Sequence, residues 1–303
     1  MTRQLAALWI AILVSWPAFA QLEPPDTTIR TEQVAPGIYV LYGQGGNIGV
    51  SAGADGVFLI DDQYAFMTPS VVAALRELKA EPPRFVLNTH WHSDHTGGNE
   101  NHAKGGALIV AHDYVRARMS TDQFLSLVQS AVPASPAGAL PVVTFNDAVT
   151  FYLNGDEIHG TYVPHAHTDG DVIVHFRKAN VIHAGDLFFR FYPFIDISSG
   201  GSLAGLLAGV DQVLGMADAN TRIIPGHGPL ANRAKLAEYR EMLAVTSGRI
   251  RDLVVAGKTV EEVVAAAPNA DYDAKWAWTF ITAERYSRML YELIEKELKS
   301  GRT

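Results

Sequence analysis

"NTHWHSDHTGG", residues 88–98, sets three histidines and an aspartate, His90, His92, Asp94 and His95, within six positions. Buried imidazoles and carboxylates are costly without partners, so such a cluster implies something that binds it. Alternation lets His90 and His92 point the same way along an extended backbone, while Asp94 and His95 turn toward a neighbouring position. One loop thereby offers ligands to two ions rather than four ligands to one. Zinc takes about four ligands, drawn from imidazole and carboxylate where thiolates are absent. They are absent here, because the chain has no cysteine. The same fact removes a cysteine nucleophile and any disulfide.

Upstream, "RFVLNT" (84–89) reads as the strand that delivers the chain into this loop, and short β-rich runs at 37–43, 47–53 and 56–62 precede it. Thr68 and Pro69 open a helix to about Lys79 with Val71, Val72, Leu75 and Leu78 as its apolar stripe. Downstream, 106–112 reads as a strand and Tyr114 to about Val128 as a helix, followed by a Pro/Ala-rich loop at 131–141 beside the site. Strand patterns return at 142–145, 148–153, 157–163, 171–176 and 180–184, and a helix covers Leu203 to Leu214. From about residue 231 the chain is helical: 232–256, a helix opened by a capping pair of Thr259 and Glu262, and 279–299. Strands in both halves with helices between and after them predict a layered α/β domain.

The first twenty residues carry one charge, Arg3, an apolar run from Leu5 to Val14 and the small-x-small ending Ala18-Phe19-Ala20. That is the pattern of a cleaved signal peptide, the run being short for a membrane span. The expectation is a signal peptide over 1–20 and one domain over 21–303, periplasmic or secreted, with no stable membrane association once the leader is removed. Formal net charge is −8, becoming −9 without Arg3 (23 basic against 32 acidic residues). With no basic run, a nucleic-acid partner is disfavoured and a small-molecule substrate expected. Oligomeric state is not legible.

The motif His90-x-His92-x-Asp94-His95 with Thr96-Gly97-Gly98-Asn99 resembles the metallo-β-lactamase superfamily. "PHAHTDGD" then supplies His167, "HAGDLFF" supplies Asp186 and "PGHGP" supplies His227, in the order that family shows, over about residues 34–230. The resemblance implies a four-layer αββα sandwich and two zinc ions. His90, His92 and His167 would hold one ion, Asp94, His95 and His227 the other, and Asp186 would bridge them. Iron or manganese would also suit these ligands. Asp94 would serve catalysis by orienting a metal-bridging hydroxide and taking its proton. Asp61, ending the strand "VFLI", would buttress the metal loop, a turn role being the alternative. His165 would support a ligand through its ring.

The resemblance implies opening of a small lactam, lactone, ester or thioester. Asp186 favours a glyoxalase- or lactonase-like arrangement, since dedicated β-lactamases carry cysteine or serine there. Leu187 and Phe188 also replace the serine or lysine that such enzymes offer to a drug's carboxylate, a role left to Arg190. Phe188, Arg190 and Tyr192 are the expected substrate contacts, within an aromatic lip of residues 188–195 for which core packing is the competing role. Trp276 and Trp278 are assigned to packing, with a cap over the pocket or a dimer contact as the alternatives. Rival functions on the same residues are an iron-dependent oxidoreductase and a quinoprotein-linked, periplasmic metal-binding accessory protein without turnover.

Overall fold

The computed structural model describes residues 25–300 except Lys79 and Glu81, so the expected leader lies outside the described residues. Four strands, β1 (Arg30–Ala35), β2 (Ile38–Tyr42), β3 (Ile48–Gly53) and β4 (Gly56–Ile60), form an antiparallel meander. Pairing then turns parallel. Helix α1 (Thr68–Glu77) leads into β5 (Pro83–Leu87), and the short helices α2 (Ser93–Thr96) and α3 (Asn99–Lys104) lead into β6 (Leu108–His112). After α4 (Asp113–Met119), β7 (Gln123–Leu125) and β8 (Ser130–Val132) make a separate hairpin, and β9 (Val143–Phe145) closes the first sheet beside β6.

The second sheet keeps chain order: β10 (Ala148–Leu153), β11 (Asp156–Val163), β12 (Asp171–Phe176), β13 (Val181–His183), β14 (Arg222–Ile224) and β15 (Ala231–Asn232). Only β13 and β14 pair in parallel, with α5 (Leu203–Met216) in the connection between them. Helices α6 (Arg233–Val255), α7 (Val260–Ala266), α8 (Ala270–Trp276) and α9 (Ala283–Lys299) complete the chain.

Period-two alternation sorts these strands into layers. On β4, Phe58 and Ile60 join Val172, Val174 and Phe176 of β12 in a core between the sheets. Val57 and Leu59 point the other way and pack with Val71 and Leu75 of α1. On the far side, Ile173, Ile182 and Ile223 of the second sheet pack with Leu206 and Val210 of α5, Tyr239 of α6 and Leu290 of α9. The order is helix, sheet, sheet, helix, as the resemblance implies.

Two local expectations are corrected. The helix expected over Tyr114 to Val128 ends at Met119, where Ser120 Oγ bonds back to the Arg116 carbonyl (2.6 Å) and the Gln123 side chain caps the Arg118 carbonyl (3.1 Å). Such back-bonding competes with the helical ladder, and the following residues form the hairpin instead. Helix α8 was not anticipated, and α9 starts at Ala283 rather than 279. The capping box of Thr259 and Glu262 is present at the head of α7.

The candidate metal centre

The site lies where strand ends from both sheets converge, at the carboxyl ends of β4, β5, β13 and β14. β5 runs into His90, His92, Asp94 and His95, and His167 precedes β12. Asp186 sits in the turn after β13, and His227 follows β14. The ligand atoms fall into two adjoining sets, His90, His92, His167 and Asp186 in one and Asp94, His95 and His227 in the other, each within 4.8 Å.

Distances across each set match a shared ion. His92 Nδ1 lies 3.0 Å from His167 Nε2, and His167 Nε2 lies 3.4 Å from Asp186 Oδ2. His95 Nε2 lies 3.3 Å from His227 Nε2, and His227 Nε2 lies 3.3 Å from Asp94 Oδ2. Ligands about 2.0–2.1 Å from a tetrahedral ion stand roughly 3.3–3.4 Å apart. Asp186 touches both sets, with Oδ1 3.3 Å from His95 Nε2. His90 Nε2 and Asp186 Oδ1 are buried with no hydrogen-bond partner, as lone pairs aimed at an ion would be. The residues therefore fit two metal ions.

On His90, His92, His95 and His167 the opposite ring nitrogen is anchored, which fixes the tautomer that presents the lone pair. His95 Nδ1–H donates to Asp61 Oδ2 (2.8 Å), and Asp61 also accepts from the Thr89 N–H (2.7 Å) and Thr89 Oγ1–H (2.8 Å). His90 Nδ1–H donates to Thr89 Oγ1 (3.1 Å) and His167 Nδ1–H to the Phe194 carbonyl (2.7 Å). His92 Nε2–H donates to Asp196 Oδ2 (3.1 Å). Asp61 is thus a buttress rather than a turn residue alone, held at a left-handed φ of 62°.

Electrostatics divide the two sets. Burial drives His90 well below its ordinary range, and it drives His167 down to about 4 despite Asp186. Burial also pushes His95 and His227 down, but carboxylates prevail: Asp186, Asp94 and Asp61 raise His95, and Asp186 with Asp94 lifts His227 to about 9. Protons and metal ions compete for the lone pairs of this second set.

Two glycines are required by contact. A Cβ on Gly46 would fall 2.1 Å from His95 Cε1, and one on Gly226 would fall 1.9 Å from Asp186 Oδ1. Asn47, which immediately precedes β3, is buried. Its side-chain amide donates to the carbonyls of Pro225 and Gly228, both at 2.8 Å, and so fixes the turn that carries His227.

A profile of known families matches residues 41–232 as the metallo-β-lactamase superfamily. The chain belongs to that superfamily. Solved structures of similar fold include a metallo-β-lactamase from Pontibacter korlensis, with a TM-score of 0.59 and 17% identity over 72% of this chain and 99% of that one. The sec-alkylsulfatase Pisa1 from Pseudomonas sp. gives 0.65 at 18% identity, over 87% of this chain and half of that one. The metallo-β-lactamase DIM-1 gives 0.57 at 18%, over 74% and 99%. These likenesses describe the fold.

On this superfamily core, a cavity of about 320 Å³ opens over the ligands, with His92, Asp94, Asp186 and His227 in its floor. The expected substrate contacts are corrected. Phe188 is fully buried against Tyr239, facing the helices behind the second sheet. Tyr192 is fully buried, stacked on Tyr286 at 3.8 Å and bonded through its hydroxyl to Asp273 (2.9 Å). Arg190 bonds through its backbone to the His227 carbonyl and does not line the cavity. Two other residues of the lip, Phe189 and Phe194, face the cavity instead. His165 bonds the Gly200 carbonyl (3.1 Å) at the surface and supports no ligand.

Sequence reasoning missed Asp196, whose only signal is the turn pattern Asp-Ile-Ser-Ser, and it gave Trp278 to packing although that ring borders the cavity. Trp276, by contrast, packs in the core.

Proposed function

We propose that this chain is a dinuclear zinc-dependent hydrolase that opens a small lactone, ester, thioester or lactam, and that it acts after export to a periplasm or the medium. The observation that carries the reading is the pair of adjoining ligand sets, with orphaned lone pairs, in the floor of a cavity. His90, His92 and His167 would hold one ion, Asp94, His95 and His227 the other, and Asp186 would serve both. When bound, such ions acidify a water and polarise the substrate's carbonyl oxygen.

The chain's own groups do the rest. Asp94, in the cavity floor, is held ionised by His95 and His227 against the upward push of burial, so its carboxylate stands ready to take a proton. It then passes that proton to the leaving group. Asp61 and Asp196 hold His95 and His92 in one orientation through the cycle. Trp91, Phe189 and Phe194 wall the floor and limit bulk water around the reacting carbonyl.

Metal analysis of purified protein should return about two zinc ions per chain, matching the two sets. Zinc-loaded protein tested on nitrocefin, a homoserine lactone, a glutathione thioester and a phosphodiester should turn over a carbonyl substrate. His92→Ala and Asp94→Ala should lose at least a hundredfold of that rate while remaining folded, on the scale of a lost proton-transfer group. A folded Asp94→Ala protein with full turnover, or inertness across the panel, would overturn the proposal; inertness with full zinc occupancy points to the accessory protein.

A further inference from the structure

Outside the ligand loops the cavity is lined by Gln44 and Tyr64 and by two further, largely apolar segments that face it from either side. On one side the β7–β8 hairpin contributes Leu125, Val128 and Val132. On the other, the strap between α8 and α9 contributes Trp278 and Phe280, which lie beyond the residues matched to the superfamily core. Phe280 meets Phe194 edge-on at 5.8 Å and Trp278 edge-on at 5.6 Å. The strap is held in place: Trp278 Nε1–H donates to the Tyr192 carbonyl (3.0 Å), and the indole stacks on Phe191 at 5.3 Å.

The wall holds no counter-charge for an anion. Among the described residues lining the cavity there is no lysine or arginine. Three arginines lie near the wall and none lines it: Arg118 is paired with Asp169 (2.6 Å), Arg190 lies outside the lining, and Arg285, over the Phe280 ring at 5.7 Å, donates to the Phe280 carbonyl. A substrate carboxylate or sulfate would therefore give up hydration without a charge partner on this wall, whereas an alkyl or aryl group would meet apolar surface on both sides.

Building on the hydrolase reading, we propose that the substrate is an uncharged ester or lactone with an extended apolar acyl or aryl group, clasped between the hairpin and the Trp278–Phe280 strap. Trp278 and Phe280 set specificity and take no part in bond cleavage. The bond broken is the acyl C–O bond, with water supplying hydroxyl to the acyl carbon and a proton to the departing alcohol.

The test uses zinc-loaded protein and p-nitrophenyl acetate, butyrate, hexanoate and octanoate, with nitrocefin as the anionic comparison. Burying a methylene favours binding by an amount that corresponds to about a fourfold rise in kcat/KM. That slope should hold until the cavity is full, and esters should be preferred over nitrocefin. Phe280→Ser, at a partly exposed position, and Trp278→Ala should flatten the slope, whereas Trp278→Phe should keep most of it.

Binding of 2-pentanone, 2-heptanone and 2-nonanone, followed by tryptophan fluorescence, gives a second readout that needs no turnover. Their affinities should climb with length in the parent chain and not in Phe280→Ser. Tight, length-dependent ketone binding without ester turnover would sink the hydrolase reading and keep the clasp. Turnover or binding without length dependence, a slope unchanged in both Phe280→Ser and Trp278→Ala, or preference for nitrocefin would overturn the clasp.

Discussion

Single residues around the ligands divide into those that donate lone pairs and those that aim them. Asp61 takes three hydrogen bonds, two from Thr89 and one from His95, in a fully buried position. Asp61→Ala should therefore free the His95 ring and weaken zinc binding at the second set by about 10–100-fold, read by competition with a chromophoric chelator. Asp196→Ala should weaken the first set instead, through His92. Unchanged affinity at both ions in both variants would remove the aiming role. The seven candidate ligand positions were legible because each lies in a short local pattern, with charge and imidazole packed more densely than a solvated turn needs. Asp196 was not, because its link to His92 spans 104 residues and exists only after folding. A different histidine gives a pH prediction. Burial alone lowers His102 to about 4, and its Nε2 has no partner. Its folded pKa lies below the unfolded value of about 6.5, so the folded state binds fewer protons. The stability it contributes is complete above pH 6.5 and is lost as pH falls toward 4, by roughly 3 kcal/mol in all. His102→Phe should remove that part of the acid sensitivity in urea melts between pH 7 and 4.5, and identical slopes for variant and parent would refute it.

At the scale of elements, strands were easier to read than the segments that wall the cavity. Alternation on β4 and β12 separates an inter-sheet face from an outer face, and the sequence displays that alternation directly. The β7–β8 hairpin was hidden because Phe124, Leu125, Leu127 and Val128 suit a helical stripe as well as a hairpin. The side-chain bonds of Ser120 and Gln123 decide between them. Phe188 and Tyr192 were misread for a related reason. In "LFFRFYPF" every position but Arg190 is apolar or aromatic, so no alternation marks a face, and only the turn geometry after β13 sends Phe189 and Phe194 to the cavity. Tyr192 is instead the post to which the 270–280 segment is tied, by its hydroxyl to Asp273 and its carbonyl to the Trp278 indole. Tyr192→Phe keeps the stack on Tyr286 and removes only the bond to Asp273. The expected loss is about 1–2 kcal/mol of stability, with faster amide exchange confined to residues 270–282. Exchange that rises uniformly across the chain, or an unaltered unfolding midpoint, would show that the post holds nothing.

Across the whole molecule the centre joins two halves that otherwise meet through side-chain packing and a few hydrogen bonds, such as Asn47 N–H to the Gly226 carbonyl (2.7 Å) and Val172 N–H to the Thr89 carbonyl (2.9 Å). His90, His92, Asp94 and His95 belong to the first sheet's loop, while His167, Asp186 and His227 come from the second sheet. No disulfide cross-links the sheets, since the chain has no cysteine. Metal ions ligated from both sides would act as that cross-link, and their binding free energy adds to folding because the unfolded chain has no preformed site. A free ion at 100 times its dissociation constant contributes about 2.7 kcal/mol per site. In a chain of this size that corresponds to a melting shift of roughly 4–5 °C per ion. Chelation should therefore lower the melting temperature in two steps. The second set should empty first on mild acidification, because His95 and His227 take up protons more readily than His90 and His167. Zinc added back at neutral pH should restore both steps. In His167→Ala and His227→Ala proteins one step should vanish in each, a different one in the two variants. A melting temperature indifferent to chelator would mean that the inter-sheet core of Phe58, Ile60, Val174 and Phe176 holds the halves unaided and that the centre serves chemistry alone.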